Sequence, residues 1–133
     1  MPHILVEGTI ALAELARRHA PFAARRGGAI VKCDRFYLES GGRAALVETL
    51  VSEAGHTQRF FVRLQARDDG VMVRCEPLTD PEKSPGVKRA LALVAARVRA
   101  ACGGRYGVTN LADYLVPEAI DGAEGSEGEP PCR

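Results

Sequence analysis

The segment from Thr57 to Arg67 constrains the fold most, because from Arg59 onward an apolar set of residues alternates with a set that is polar except for Phe61. One side holds Phe60, Val62, Leu64 and Ala66; the other holds Arg59, Phe61, Arg63, Gln65 and Arg67. Alternation with a period of two is typical of an antiparallel strand that buries one face and exposes the other. We therefore expect a half-buried strand here.

A second strand should return directly from this one. Asp68-Asp69-Gly70 is a strong signal for a tight hairpin turn, because Asp and Gly tolerate the backbone angles that such turns need. After the turn, Val71, Val73 and Cys75 share the inward parity, whereas Met72 and Arg74 point outward. Pro77 ends the strand.

The segments before this hairpin extend the sheet. The stretch 29–39 is rich in residues that favour strands, but its apolar parity changes between Cys33 and Phe36. A β-bulge near Asp34-Arg35 would restore one inward face. The stretch 44–53 fits either a strand or a helix, and we favour the strand because the neighbouring turn signals imply a meander.

Two segments have helical patterns. The first begins near Thr9 and ends near His19, since Pro21 interrupts it, and residues 22–26 could add one more turn before Gly27-Gly28. The second begins at Ser84-Pro85, where Ser is a good N-cap and Pro suits the first helical position. Its apolar stripe runs from Val87 to Cys102.

These patterns predict one α+β domain over residues 1–116. It would comprise an N-terminal helix, an antiparallel meander of three to four strands over about 29–77, and a long C-terminal helix over about 85–102 packed on the sheet. The full chain has 18 Lys and Arg and 17 Asp and Glu, but five of the acids and only one base lie in 117–133. We expect that acidic, Pro- and Gly-rich tail to be disordered.

The chemistry-bearing residues are scattered. The four cysteines show no CxxC spacing and the three histidines show no metal-ligand spacing, so we predict no catalytic residue, no metal site and no cofactor. Cys33 and Cys75 have inward parity and are expected in the core. No signal peptide or membrane-spanning run is evident, and unpaired cysteines favour a reducing cytoplasm.

The outward arginines Arg59, Arg63, Arg67 and Arg74, with Phe61 among them, have one functional interpretation as a nucleic-acid surface. In it, phosphates would contact guanidinium groups and a base would stack on the aromatic ring. The simpler interpretation is a solvated face whose arginines pair with Glu48, Glu76 or Asp68.

The apolar residues on the same face suggest a different function. Phe61 and Met72 point outward, and a patch of this kind either lies under a helix or binds a partner. We predict a non-enzymatic protein-interaction module that acts through Phe61, Met72, Arg59 and Arg63, with a protein partner or as a homodimer. Nucleic-acid binding is the alternative, and a small enzyme with a pocket between helix and sheet is a third hypothesis.

Overall fold

The computed structural model describes residues 1–116, so the predicted acidic tail at 117–133 lies outside the described residues. The strands are β1 (His3–Glu7), β2 (Phe22–Arg26), β3 (Ala29–Leu38), β4 (Ala44–Glu53), β5 (His56–Arg67), β6 (Gly70–Cys75) and β7 (Arg105–Thr109). The helices are α1 (Leu12–Arg18) and α2 (Pro85–Cys102), with 3-10 turns at Pro77–Thr79 and Ala112–Tyr114. Within the described residues, no helix is both long and apolar enough to cross a bilayer.

All of the strands form one curled antiparallel sheet, a half-barrel, in the order β2-β3-β4-β5-β6-β1-β7. Five of them follow one another as a meander, from β2 to β6. Residues 44–53 are a strand, as favoured, and the register shift between Cys33 and Phe36 confirms the predicted bulge. The alternation of β5 is also confirmed, since Phe60, Val62 and Leu64 are buried.

The predicted fold class is nevertheless wrong. The sheet has seven strands rather than three to four, and it extends far beyond residues 29–77. The chain begins with strand β1 instead of a helix, and it returns to the sheet as β7 after the long helix. The short apolar run His3–Val6 lies in β1, whereas nothing in the sequence pattern predicts β7.

Strand β2 is the clearest local difference, because the sequence pattern predicts a further helical turn for its residues. Gly27 and Gly28 link β2 to β3 as a two-residue loop, with Arg26 paired to Ala29. Both glycines have positive φ, 55° and 88°, as the tight turns of right-twisted hairpins require. The glycine pair therefore forms a hairpin turn and does not stop a helix. The preceding helix α1 is short and begins at Leu12 rather than at Thr9.

Helix α2 has the bounds that the sequence predicted. Ser84 caps its N-terminus by accepting a hydrogen bond from the Val87 N–H. Glu53, at the end of β4, accepts hydrogen bonds from the Ser84 hydroxyl and from the Gly86 N–H (3.0 Å for the latter). A carboxylate at this position also interacts favourably with the positive end of the helix dipole. The end of β4 is therefore tied to the start of α2.

The core lies between α2 and the inner face of the curled sheet. Val31, Val62 and Val73 from the sheet share one buried cluster with Leu91 of α2 and Leu12 of α1. Leu93 and Ala95 of α2 are buried as well, so the helix is enclosed over more than its apolar stripe. Both helices pack on the inner face, and neither one covers the opposite, outer face of the sheet.

A glycine fixes the contact between β6 and β1. Gly70 has φ +154°, and a Cβ atom at this position would lie 2.0 Å from the Val6 carbonyl oxygen. Gly70→Ala should therefore lower the free energy of unfolding by about 2–3 kcal/mol in urea denaturation. Gly41→Ala is the control, because its new Cβ would meet nothing closer than the Glu39 carboxylate at 3.5 Å. Equal losses in the two variants would contradict this role for Gly70.

The thiols of Cys33 and Cys75 lie in the core, as predicted, and are 1% and 0% exposed. Burial raises the pKa of Cys33 to about 12 and the pKa of Cys75 to about 11, since an apolar environment disfavours the thiolate. Above an ordinary thiol pKa of about 8.5, the unfolded chain loses these protons while the folded chain keeps them. The two buried thiols therefore make their full contribution to the free energy of unfolding below that pH, and this contribution falls as the pH rises above it.

Raising the pH from 8 to 10 should therefore lower the free energy of unfolding, by up to about 2 kcal/mol for each of these thiols. Urea denaturation of the wild type and of Cys33→Ala/Cys75→Ala measures this difference. The double variant is less stable at every pH because it leaves cavities, but its pH slope should be shallower. If the free energy of unfolding had the same pH slope in both proteins, the buried thiols would not be the cause of the pH dependence.

Candidate functional site

The candidate site is the outer face, defined here as the outward-pointing residues of β3 to β6 and the bulge. The residues that point outward include Ile30, Lys32, Asp34, Arg35, Tyr37, Leu46, Glu48, Leu50, Ser52, Thr57, Arg59, Phe61, Arg63, Gln65, Arg67, Met72 and Arg74. Two cross-strand rows organise them. Tyr37, Leu46, Arg63 and Arg74 are successive register partners, and Lys32, Leu50 and Arg59 form a parallel row.

Two aromatic rings meet over the middle of this face. Tyr37 and Phe61 lie edge to face, with ring centroids 6.0 Å apart and an interplanar angle of 81°. Because β4 lies between their strands, the rings reach across that strand toward each other. Tyr37 is 45% exposed, whereas Phe61 is half-buried. The two rings therefore form an aromatic cluster in the middle of the outer face.

Arg63 is held by its neighbours within the sheet. Its Nη1 donates to Glu76 Oε1 at 3.0 Å, and its Nη2 donates to Gln65 Oε1 at 2.9 Å. The other oxygen of Glu76 accepts from the Leu78 N–H at 3.2 Å and so begins the 3-10 turn. Pairing with Glu76 is the interaction that a structural arginine would make. Arg63 therefore anchors the chain that leaves β6.

The other three predicted arginines are held less firmly. Arg67 lies 3.6 Å from Asp69, and both side chains are about half exposed. Arg74 contacts the sulfur of Met1 at 3.6 Å. Arg59 is exposed and makes no ion pair within the described residues. The structure thus brings Arg59, Arg63, Arg67 and Arg74 onto one face, but only some of their guanidinium groups are accessible.

A cleft of about 330 Å³ lies on the outer face beside the aromatic pair. It is lined by Lys32, Asp34, Glu48, Thr49, Leu50, Arg59, Phe60, Phe61 and Thr79. Glu48 lines this cleft, and its Oε1 is buried without a hydrogen-bond partner within the described chain. Buried carboxylate oxygens are normally paired, so this acceptor is an exception in the structure. Met72 lies outside the cleft, farther along the sheet.

Sequence reasoning missed Tyr37, Glu48 and Lys32 as members of the site. The signal was present for Tyr37: once the bulge turns Phe36 and Leu38 inward, Tyr37 must point outward. Glu48 and Lys32 were not found because their role depends on the cleft. No pattern within one strand reveals how deeply a neighbouring ring covers a carboxylate.

The thiols of Cys33 and Cys75 lie in the core, whereas His56 is exposed at the start of β5, so neither thiol is paired with that histidine. Over residues 1–116, no three His, Cys, Asp or Glu side chains converge as a metal site would require.

Comparison with known proteins gives no match. No family model matches the chain, and neither a curated protein nor a solved structure does. Neither fold kinship nor a relative's activity thus supports a functional assignment. The interpretation rests on the residues of the outer face and on their contacts.

Arg63 and Arg67 both have acidic partners, but replacing them by alanine should lower the free energy of unfolding by different amounts. Arg63→Ala should lower the free energy of unfolding by about 1–2 kcal/mol, because it leaves the nearly buried Glu76 carboxylate without its charged donor. Arg67→Ala, the matched control on the same strand, should cost less than about 0.5 kcal/mol, since its ion pair is solvated. Urea denaturation measures both. A loss in Arg67→Ala as large as in Arg63→Ala would contradict the structural role of Arg63.

Proposed function

We propose that this protein is a non-enzymatic interaction module whose outer face binds an acidic segment of a partner protein. The observation that supports this most directly is that both helices pack on the inner face. The outer face, with Tyr37, Phe61 and Met72 on it, has no helix of the described chain over it. An antiparallel sheet can face water on one side, but such a face is ordinarily polar.

The residue types on the outer face are those that contribute most to protein interfaces. Aromatic residues, Met and Arg are enriched in interface cores, and Tyr and Arg are frequent energetic hot spots. Here Tyr37 and Phe61 form the centre, Leu46 and Leu50 flank them, and Arg59 lies at the cleft. An aromatic centre with arginines around it is therefore suited to a protein partner.

The charge of the face selects an acidic partner. Its cations are Lys32, Arg35, Arg59, Arg63, Arg67 and Arg74, and its carboxylates are Asp34, Glu48 and Glu76. A homodimer formed through this face, as the sequence suggested, would be isologous and would bring the arginines of two copies together. Like charges across an interface disfavour association. We therefore favour an acidic segment of another protein over a second copy.

The cleft adds a preference for one anchoring side chain. Its walls include the apolar Leu50 and Phe61, and it is also lined by Glu48, whose Oε1 has no hydrogen-bond partner within the described residues. A tyrosine would bury its ring against those walls and donate its hydroxyl proton to Glu48. The acidic residues around that tyrosine would then lie near Arg59 and Lys32. The proposed partner motif is a tyrosine within a run of Asp and Glu.

Nucleic-acid binding through Arg59, Arg63, Arg67 and Arg74 is the alternative proposal. It is less well supported, because the guanidinium group of Arg63 already donates to Glu76 and Gln65. Single-strand binders stack bases on open aromatic faces, whereas Tyr37 and Phe61 pack edge to face on each other. For the interaction module we also propose a cytoplasmic location. The free thiols of Cys33 and Cys75 support this location, because a reducing compartment keeps cysteines unpaired.

The test is a selection of displayed random peptides on the full-length protein, followed by affinity measurements on synthetic peptides. Selected sequences should be acidic and contain tyrosine. Replacing that tyrosine by alanine should weaken binding at least about tenfold, because a buried aromatic anchor is lost. Phe61→Asp should abolish binding, and Arg59→Glu should weaken it by about tenfold or more through charge reversal. Thr57→Glu, on the same strand and face but outside the cleft, is the control and should bind nearly as the wild type does.

Several outcomes would overturn the proposal. Enrichment of basic or uncharged peptides would contradict the charge argument, and wild-type affinity in Phe61→Asp would contradict the site. A dimer that Phe61→Asp dissociates would identify a second copy as the occupant. Salt-sensitive binding of a single-stranded oligonucleotide, lost in Arg59→Ala/Arg67→Ala, would favour the alternative. Circular dichroism of each variant checks that the fold is retained.

A further inference from the structure

Leu78 is the most exposed large apolar side chain in the described part of the chain, with 91% of its surface accessible to solvent. It is the middle residue of the 3-10 turn Pro77–Thr79, which follows β6. Single exposed apolar residues are common on protein surfaces, so exposure alone assigns no role to this leucine. Two further features distinguish it, namely the constrained backbone that carries it and its place beside the cleft of the outer face.

Hydrogen bonds hold the backbone on both sides of Leu78. The Leu78 N–H donates to Glu76 Oε2 at 3.2 Å, and the Thr79 N–H donates to the Glu76 carbonyl oxygen at 3.1 Å. Pro77, directly before Leu78, has its φ fixed by the pyrrolidine ring. Glu76 is only 8% exposed, and its other carboxylate oxygen accepts from Arg63. The turn is therefore preorganised, and it presents the leucine side chain to solvent in a defined position.

The same turn forms one wall of the cleft on the outer face. Thr79 lines the cleft, and its hydroxyl oxygen accepts a hydrogen bond from the Phe61 N–H at 2.9 Å. The Glu76 N–H donates to the Phe61 carbonyl oxygen at 2.9 Å, so the turn begins beside β5 on the side opposite β4. Leu78 is thus one residue away from a wall of the cleft.

The fold does not use the Leu78 side chain. The hydrogen bonds of the turn involve its backbone, and any residue other than proline would supply the same N–H to Glu76. Burying a leucine side chain that was exposed contributes about 1.5–3 kcal/mol. Because the backbone is already ordered, a partner that covers Leu78 gains this burial with little loss of conformational freedom. The side chain is therefore suited to anchor a bound partner.

We propose that Leu78 is a second anchor of the outer face and selects partners that carry an aliphatic residue near the tyrosine bound in the cleft. This inference rests on the proposed function, since it specifies the partner motif of the same site. The cleft is lined by β3, β4 and β5, and the turn occupies the next position across the sheet, about 5 Å farther. An extended peptide advances about 3.3 Å per residue, so the aliphatic residue would lie about two to four positions from the tyrosine.

Affinity measurements on the full-length protein test this inference with two synthetic peptides. The leucine peptide is Asp-Glu-Leu-Asp-Tyr-Asp-Leu-Glu-Asp, and in the serine peptide both leucines are replaced by serine. The wild type should bind the leucine peptide at least about tenfold more tightly, because the serine peptide lacks the apolar anchor. Leu78→Ser should weaken binding of the leucine peptide by a similar factor and leave binding of the serine peptide unchanged. Val108→Ser is the matched control and should bind both peptides as the wild type does, because Val108 is 67% exposed but lies on β7, outside the outer face.

These measurements separate the second anchor from the proposed function. If Phe61→Asp abolishes binding of the leucine peptide but Leu78→Ser does not weaken it, the second anchor is wrong and the proposed function stands. Equal losses in Leu78→Ser and Val108→Ser, or an equal loss for both peptides in Leu78→Ser, would also overturn the anchor. If the wild type binds neither peptide at millimolar concentration, both proposals are wrong. Because the Leu78 side chain is exposed, Leu78→Ser should unfold at the same urea concentration as the wild type, which excludes misfolding as the cause of a loss.

Discussion

The structure depends on the enclosure of helix α2 by the curled sheet. The ladder of strands alone would leave Val31, Val62 and Val73 exposed, and α2 supplies the apolar surface that covers them. Glu53 fixes the helix in the curl by binding the Ser84 hydroxyl and the Gly86 amide at its N-terminus. This placement determines the candidate site, because it leaves the outer face without a helical layer. It also leaves a half-open apolar groove, the inner groove, where the C-terminal half of α2 separates from α1.

The bulge in β3 determines what the outer face presents. Without it, Cys33 and Phe36 would lie on opposite faces, and one of them would be lost from the core. The extra residue turns Phe36 toward His19 and the inner groove, and it turns Tyr37 toward Phe61. A one-residue irregularity thus supplies an aromatic wall to the inner groove and an aromatic ring to the outer face. It also places Arg35 beside Tyr37 and Glu48.

Elements that depend on neighbouring residues in the sequence were predicted well, whereas elements that depend on residues far away in the sequence were not. The bounds of α2 were predicted because its cap and its glycine stop are local, and β5 was predicted because its alternation is uninterrupted. Strand β7 was missed because it is stabilised by β1, whose residues lie about a hundred positions away in the chain. The prediction of a further helical turn at residues 22–26 is wrong, although Gly27-Gly28 is itself a hairpin signal, because it treats the glycine pair as a helix stop. The outward direction of the predicted site residues was correct, but the cleft at Glu48 depends on three strands together.

The arginines show why composition is a poor guide to function in this chain. Arg63 donates to Glu76 and stabilises the exit from β6, and Arg97 covers an aromatic ring with its guanidinium group. Arg99 is nearly buried and faces Tyr106. These side chains contribute packing and hydrogen bonds, so they do not add to a positive field available to a polyanion. On the outer face, the exposed cations Lys32, Arg35, Arg59 and Arg67 surround an aromatic centre. That distribution matches a short acidic segment better than a continuous phosphate backbone, whose binding strength grows with the number of phosphates neutralised.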